Sequence, residues 1–456
     1  MHEYRGVNHM KVIVIGCTHA GTTATKEILK QHPGAEVVIY ERNDNVSFLS
    51  CGIALHLSGE VADINGLFYS SPAELAELGA EVHMQHNVTA VDTAAKTVAV
   101  TDMATGESLV NSYDKLVVTT GSVPLQPKLP GIDHPGLFLC KNFHDAKQLF
   151  EKAHDDAVKD VVIIGAGYIG VELIEAYEKL GKKVTVIDAG PRILNKYFDA
   201  EYTDRLTADF ERRGVVVKTD ELVQSFSGDD NIAVTTDKGT YEADLVILGI
   251  GFRPNTELLT GQVDMLPNGA IKTNEYMQTS QPDVFAAGDS ATVHYNPTQS
   301  MEYIPLATNA VRQGKLIGIN LTEPKLAYLG TQSSSGLKIY DDNMVASGLT
   351  KESAEFKGLD VESVTIEDNY QPEFMSSTTP VLMTLVWERT THRIIGAQFM
   401  SKHDISQSAN AISIAIQNKN TIEDLAFVDM LFQPQFDRPF NYVNLLGQAA
   451  MEAASK

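Results

Sequence analysis

The sequence has little cysteine. Only Cys17, Cys51 and Cys140 occur among 456 residues, and no two stand in a C-x-x-C pair. So sparse and odd a set excludes a disulfide framework and a cysteine-built zinc site. It fits a reducing compartment, so a cytoplasmic location is expected. Long apolar runs are also missing: no stretch reaches the ~18 uninterrupted apolar residues of a membrane-spanning helix. The opening MHEYRGVNHMKVIVIG lacks the charged-then-apolar layout of a signal peptide. Met10 directly precedes the first strand, and the nine residues before it are given no role. Positive charge is in deficit, with 36 Lys and Arg against 59 Asp and Glu and a net charge of −23. Such a chain repels nucleic acid and anionic lipid, so neither is expected as a partner. The histidines form no metal-ligand cluster, and no metal is expected. His2, His9, His32, His83 and His86 read as solvated positions.

What is present is a repeated design. At about 100–200 residues per domain the length allows two to four domains. Lys11 to Asn43 (KVIVIGCTHAGTTATKEILKQHPGAEVVIYERN) and Asp160 to Gly190 (DVVIIGAGYIGVELIEAYEKLGKKVTVIDAG) follow one plan. Each starts with a β-branched apolar run, turns through glycines into a helix-period stretch, and returns to a second apolar run ending in an acid. That is a βαβ unit, twice. YDKLVVTTGS (113–122) and YEADLVILGIGFRPN (241–255) read as strands ending at glycine turns. From about Leu329 the texture changes to alternating, antiparallel-type strands. Ser406 to Asn418 and the tail from Tyr442 read as helices.

The glycine loops carry the first chemistry. A helix N-terminus offers unpaired N–H groups to a pyrophosphate. The second loop, Gly165-Ala166-Gly167-Tyr168-Ile169-Gly170, is a complete G-x-G-x-x-G. Its acid is Asp188, placed to bind a ribose 2′-hydroxyl and to repel a 2′-phosphate, which favours NADH over NADPH. Arg192 lies close enough to temper that preference. The first loop, Gly16-Cys17-Thr18-His19-Ala20-Gly21, has Thr18 in place of the middle glycine, and its acid is Glu41. A second nicotinamide would only repeat hydride chemistry, whereas a flavin accepts hydride and passes electrons on. The first unit is therefore assigned to FAD, supported by Gly288-Asp289 in PDVFAAGDSA.

These motifs together resemble the pyridine nucleotide–disulfide oxidoreductases over nearly the whole chain. The resemblance implies an α/β fold with two Rossmann-like domains, the FAD domain interrupted by the NAD domain, and an α+β C-terminal dimerisation domain. The boundaries expected are 10–125 with 256–328, 126–255, and 329–456. It implies a homodimer or a dimer of dimers. It implies FAD contacts from Gly16, Cys17, Thr18, His19, Ala20, Gly21, Glu41, Arg42, Ser50, Cys51 and Val88. Further FAD contacts fall on Thr119, Thr120, Gly121, Ser122 and Lys141, on Asp289 at the ribityl chain, and on Leu306, Ala307 and Thr308 at the ring. NAD contacts are implied at Gly165, Gly167, Tyr168, Ile169, Gly170, Asp188, Tyr197, Gly251 and Gly336, with Tyr168 covering the flavin until NADH displaces it. Phe432 and Phe436, in an aromatic run with Pro439, Phe440 and Tyr442, are implied to close the partner's site or to form interface core.

One departure narrows the chemistry. The disulfide reductases of the family carry C-x-x-x-x-C beside the flavin. Here SFLSCGIALH leaves Cys51 alone, with His56 at the partner position. This resembles the single-cysteine branch: NADH oxidases, NADH peroxidases and coenzyme A disulfide reductases. GCTHAGT, ERNDNVSFLSCGIAL, GLFYSSP, IPLATNAVRQG and FQPQFDRPFNYVN look like the water-forming NADH oxidases. The implied reaction takes two NADH and one O2 to two waters, with Cys51 cycling between thiolate and sulfenic acid and His19 as acid/base. Because GIALHL can start a helix, the Cys51 thiol is expected to be acidified by the helix dipole. Cys17 and Cys140 read as packing residues.

Overall fold

The computed structural model describes residues 10–229 and 231–456. His2 and His9, and the nine residues before Met10, lie outside the described residues. The first repeat folds as β1 (Lys11–Ile15), α1 (His19–Gln31) and β2 (Glu36–Glu41). Four of the five β1 residues are buried, which is why the run is continuously apolar rather than alternating. β1 is the middle strand of a five-stranded parallel sheet. The order is Val284–Ala286, Lys115–Val118, β1, β2, Ala80–Met84. The strand before Gly288-Asp289 thus returns from far along the chain to the edge of the first sheet.

The second repeat folds in the same way as β3 (Asp160–Ile164), α2 (Tyr168–Lys179) and β4 (Lys183–Ile187). Its parallel sheet has the order Val216–Lys218, β4, β3, Leu245–Leu248, Leu137–Leu139. The expected long strand in 241–255 is divided. Thr240–Ala243 joins an antiparallel meander with Val223–Ser227 and Ile232–Thr236, while Leu245–Leu248 joins the parallel sheet. Asp244 marks the break, and its carboxylate accepts the backbone N–H groups of Lys159 and Asp160. Two short strands, Ser122–Pro124 and Phe252–Pro254, pair antiparallel where the chain crosses between the two parallel-sheet units.

The C-terminal part is a five-stranded antiparallel sheet, ordered β5 (Ser335–Ile339), Asp342–Gly348, Ile394–Ser401, Pro380–Glu388, Val361–Asn369. Helices Ser406–Gln417 and Tyr442–Ala454 pack on it around the fully buried Trp387. Together these are two Rossmann-like units and an α+β C-terminal unit.

Candidate functional site

Both glycine loops open onto one cavity of about 1140 Å³. In each loop the first glycine has positive φ, +87° at Gly16 and +100° at Gly165. A side chain on the third glycine would meet the carbonyl of the first: Cβ would stand 2.0 Å from Gly16 O at position 21 and 1.9 Å from Gly165 O at position 170. Glycine there is a packing requirement of the fold. The middle position differs, because a Cβ at Gly167 meets only the Tyr197 ring at 3.9 Å. Nothing in the protein forbids a side chain there, which accounts for Thr18 in the first loop.

Neither loop helix is capped by a side chain. Thr18 and Gly167 make no cap hydrogen bond, and neither first turn carries an acid. Elsewhere Asn142 and Thr421 form full capping boxes. The two bare helix N-termini at the cavity therefore suit pyrophosphate groups. The acids are held in matching ways. Glu41 accepts the Cys17 N–H at 2.7 Å through Oε2, and the Asn43 N–H and side-chain amide through Oε1. Asp188 accepts the Ala166 N–H and the Gly190 N–H, each at 2.6 Å. Burial pushes the Glu41 carboxyl up. These residues fit a dinucleotide in each unit, FAD in the first and NADH in the second.

Between the units sits a polar cluster. Ser122 donates to Asp289 at 2.7 Å, and Lys141 Nζ reaches both Asp289 (3.3 Å) and Ser122 (3.1 Å) while lying over the Phe252 ring. Lys141 and Asp289 act electrostatically on both His19 and Cys51. Burial holds the His19 imidazole below its ordinary range. Its Nδ1 lies 2.7 Å from the Tyr69 hydroxyl, with the two rings nearly parallel. The hydroxyl also donates to Thr18 O at 3.4 Å. Which of Nδ1 and the hydroxyl donates to the other depends on the imidazole tautomer.

Cys51 lies in the single turn Ser50–Gly52, ahead of the short helix Ile53–Leu57, and lines the cavity. The expected acidification by a helix dipole is not found. Burial pushes the thiol up, the Glu172 charge adds to this, and Lys141 opposes it. A five-residue helix has too small a dipole to overcome that desolvation. His56 is buried, with Nδ1 on Val61 O and its ring stacked on Phe150. Cys17 and Cys140 are buried, and burial pushes the Cys17 thiol up to about 12.

Most residues singled out in the sequence meet at this cavity. Gly16, Thr18, His19, Ala20, Glu41, Arg42, Ser50, Cys51, Val88, Thr119, Thr120, Gly121, Ser122, Lys141, Asp289, Leu306 and Ala307 line it from the first unit and its neighbours. Gly165, Gly167, Tyr168, Ile169, Asp188, Tyr197, Gly251 and Gly336 line it from the second unit and the C-terminal sheet. Cys17, Gly21, Gly170 and Thr308 do not. The Cys17 side chain points into the core, the two glycines pack the loops, and Thr308 is an exposed first-turn residue of the helix Ala307–Asn320. Phe432 and Phe436 are exposed and stand away from the cavity of their own chain. Tyr442 departs from that aromatic run, being buried and bonded to Ser408. His32, His83 and His86 are half-buried rather than solvated, and His86 lines the cavity beside Glu41.

The sequence reading missed two residues here. Glu172 follows Tyr168 by four, so the helical period puts both on the cavity face of α2, and burial raises its carboxyl to about 7. Tyr69 comes from an irregular stretch with no local signal. Among the described residues no cluster could hold a metal ion, and no helix is long and apolar enough to cross a membrane.

Comparison with known proteins agrees with this geometry. Residues 10–314 match the pyridine nucleotide-disulphide oxidoreductase model, and 338–442 match the dimerisation domain of the same family. The chain is 58% identical over 446 residues to an NADH oxidase of Enterococcus faecalis, covering 97% of this chain and all of that one. It superposes on the water-forming NADH oxidase from Lactobacillus brevis bound to NADH with a TM-score of 0.97. The identity is 59%, over 98% of this chain and 99% of the other. A CoA-dependent NAD(P)H sulfur oxidoreductase of Pyrococcus furiosus is 32% identical, covering 93% of this chain and 96% of that one. The chain belongs to the pyridine nucleotide–disulphide oxidoreductase family.

Proposed function

We infer that this protein is an FAD-dependent NADH oxidase that reduces O2 to two waters at the expense of two NADH. The observation that carries the reading is one cavity shared by two uncapped helix N-termini and the exposed, unpaired thiol of Cys51. FAD, when bound, accepts hydride from NADH and passes electrons to oxygen and to oxidised sulfur. The residues of the chain do the rest. The α1 and α2 N-termini hold the two pyrophosphates, Glu41 and Asp188 take the riboses, and Asp188 disfavours a 2′-phosphate.

Cys51, as thiolate, attacks oxygen already reduced by two electrons. The S–O bond forms as the O–O bond breaks, the departing oxygen leaves as water, and sulfur remains as sulfenic acid. Two electrons from the second NADH break the S–O bond, release the second water and restore the thiolate. No second thiol lies four or five residues away to trap the sulfenic acid as a disulfide. His19, bonded through Nδ1 to the Tyr69 hydroxyl, is the acid/base for the departing oxygen. Lys141 favours the thiolate, and protonation of Glu172 below about pH 7 removes the opposing charge.

The remaining assignments follow from this reading. The FAD domain comprises 10–125 and 256–328, the NAD domain 126–255 and the dimerisation domain 329–456. The crossing pair Ser122–Pro124 and Phe252–Pro254 supports that division. The protein works as a cytoplasmic homodimer or dimer of dimers. The exposed Phe432 and Phe436 reach the partner's site, on a segment held by Arg438 on Asp368 and by Gln371 on Gln435 O. Peroxide or a coenzyme A disulfide as oxidant would use the same centres, and the sulfur oxidoreductase relative keeps the latter in view. Oxygen uptake with peroxide trapping separates them. The reading requires one O2 per two NADH and no peroxide. Peroxide consumption with O2 ignored would contradict it.

A further inference from the structure

The cavity face of α2 begins with Tyr168, which lies inside the second glycine loop. Its ring lies 4.4 Å from that of Tyr197, and its hydroxyl is 2.7 Å from Ser335 Oγ. Ser335 is the first residue of β5, in the C-terminal sheet, and both side chains line the cavity. The rest of the α2–β5 seam is fixed separately. The Tyr340 N–H donates to Glu175 at 2.9 Å, the Tyr340 hydroxyl donates to Glu178 at 2.8 Å, and Leu337 and Ile339 share a core cluster with Val171 and Ile174. The ring of Tyr168 can therefore swing without α2 leaving β5. The hydroxyl pair, the Tyr197 contact and an edge contact with the Phe198 ring hold it across the cavity.

The geometry points to Ser335 as a positioning residue for nicotinamide entry: its hydroxyl latches Tyr168 in the closed position and so sets how often the NADH site is open. The inference rests on NADH as the substrate. Binding to a site open only part of the time is weakened by the open fraction, so breaking the latch tightens binding. One neutral hydrogen bond corresponds to about a 2- to 12-fold change in that fraction. The latch also gives the dimerisation domain a direct hold on the nicotinamide site, through one side chain.

The test is calorimetric titration of the FAD-loaded protein with NAD+, which binds without turning over. Ser335→Ala and Tyr168→Phe each tighten NAD+ by about 2- to 12-fold, and the double variant tightens it no further, because both remove the same bond. Ser335→Thr, which keeps a hydroxyl, restores the wild-type affinity. Unchanged or weaker binding in Ser335→Ala, or additive effects in the double variant, would overturn the latch. Failure of the wild-type protein to bind NAD+ would instead overturn the assignment of the substrate.

Discussion

Glu172→Gln has an effect on stability whose dependence on pH is fixed by the site. Glu172 lines the cavity with no hydrogen-bond partner among the described residues, and burial raises its carboxyl from 4.5 to about 7. In the unfolded chain it ionises near 4.5, so between that pH and about 7 the folded state holds a proton that the unfolded state has lost. Stability associated with this group is therefore intact below about pH 4.5 and is lost as pH rises through about 7. The full difference is worth at most about 3 kcal/mol at pH 8 and under about 1 kcal/mol at pH 5. Water in the cavity reduces the realised value to about 1–2 kcal/mol at pH 8. Glutamine keeps the shape and never ionises. Thermal unfolding of the FAD-loaded variant should match wild type at pH 5 and exceed it at pH 8. The same substitution removes a negative charge that raises the Cys51 thiol, so the pH midpoint for alkylation of Cys51 should fall. Equal stabilisation at both pH values, or destabilisation at pH 8, would refute the account of Glu172.

Two further substitutions probe the remaining groups. Tyr69→Phe removes the hydroxyl bonded to His19 Nδ1. We expect kcat to fall about 2- to 12-fold with KM for NADH unchanged, because Tyr69 does not line the cavity. Asp188→Ala removes the acceptor of the Ala166 and Gly190 N–H groups. About 1.5–3 kcal/mol per charged hydrogen bond to the ribose predicts a 10- to 100-fold loss in kcat/KM for NADH. The preference over NADPH should shrink as well, since the repulsion is gone and Lys196 lines the same cavity. Parallel kinetics with both nucleotides measure this.

How much of the site the sequence revealed depended on whether the signal was local. The glycine loops and their acids were legible because one turn, one helix start and one strand end carry them within some thirty residues. Cys51 was legible as an unpaired thiol for the same reason. Its acidity was misread, because desolvation by the surrounding fold and the charge of Glu172, 121 positions away, outweigh the short helix beside it. Tyr69 reaches His19 from fifty residues along the chain, and only the packing of an irregular loop brings it there. The division of 241–255 at Asp244 was hidden because two strands from different sheets adjoin without a turn residue. The latch between Tyr168 and Ser335 spans 167 positions, and nothing at either end marks it.

The central claim is that Cys51 is a second redox centre beside FAD. Anaerobic titration of the purified protein with NADH, followed through the flavin absorbance, tests it most directly. With Cys51 as sulfenic acid, the wild-type subunit should take up four electrons, and Cys51→Ser should take up two and release peroxide instead of water when O2 is admitted. Equal uptake by the two proteins, or water as the product of the serine variant, would contradict the account.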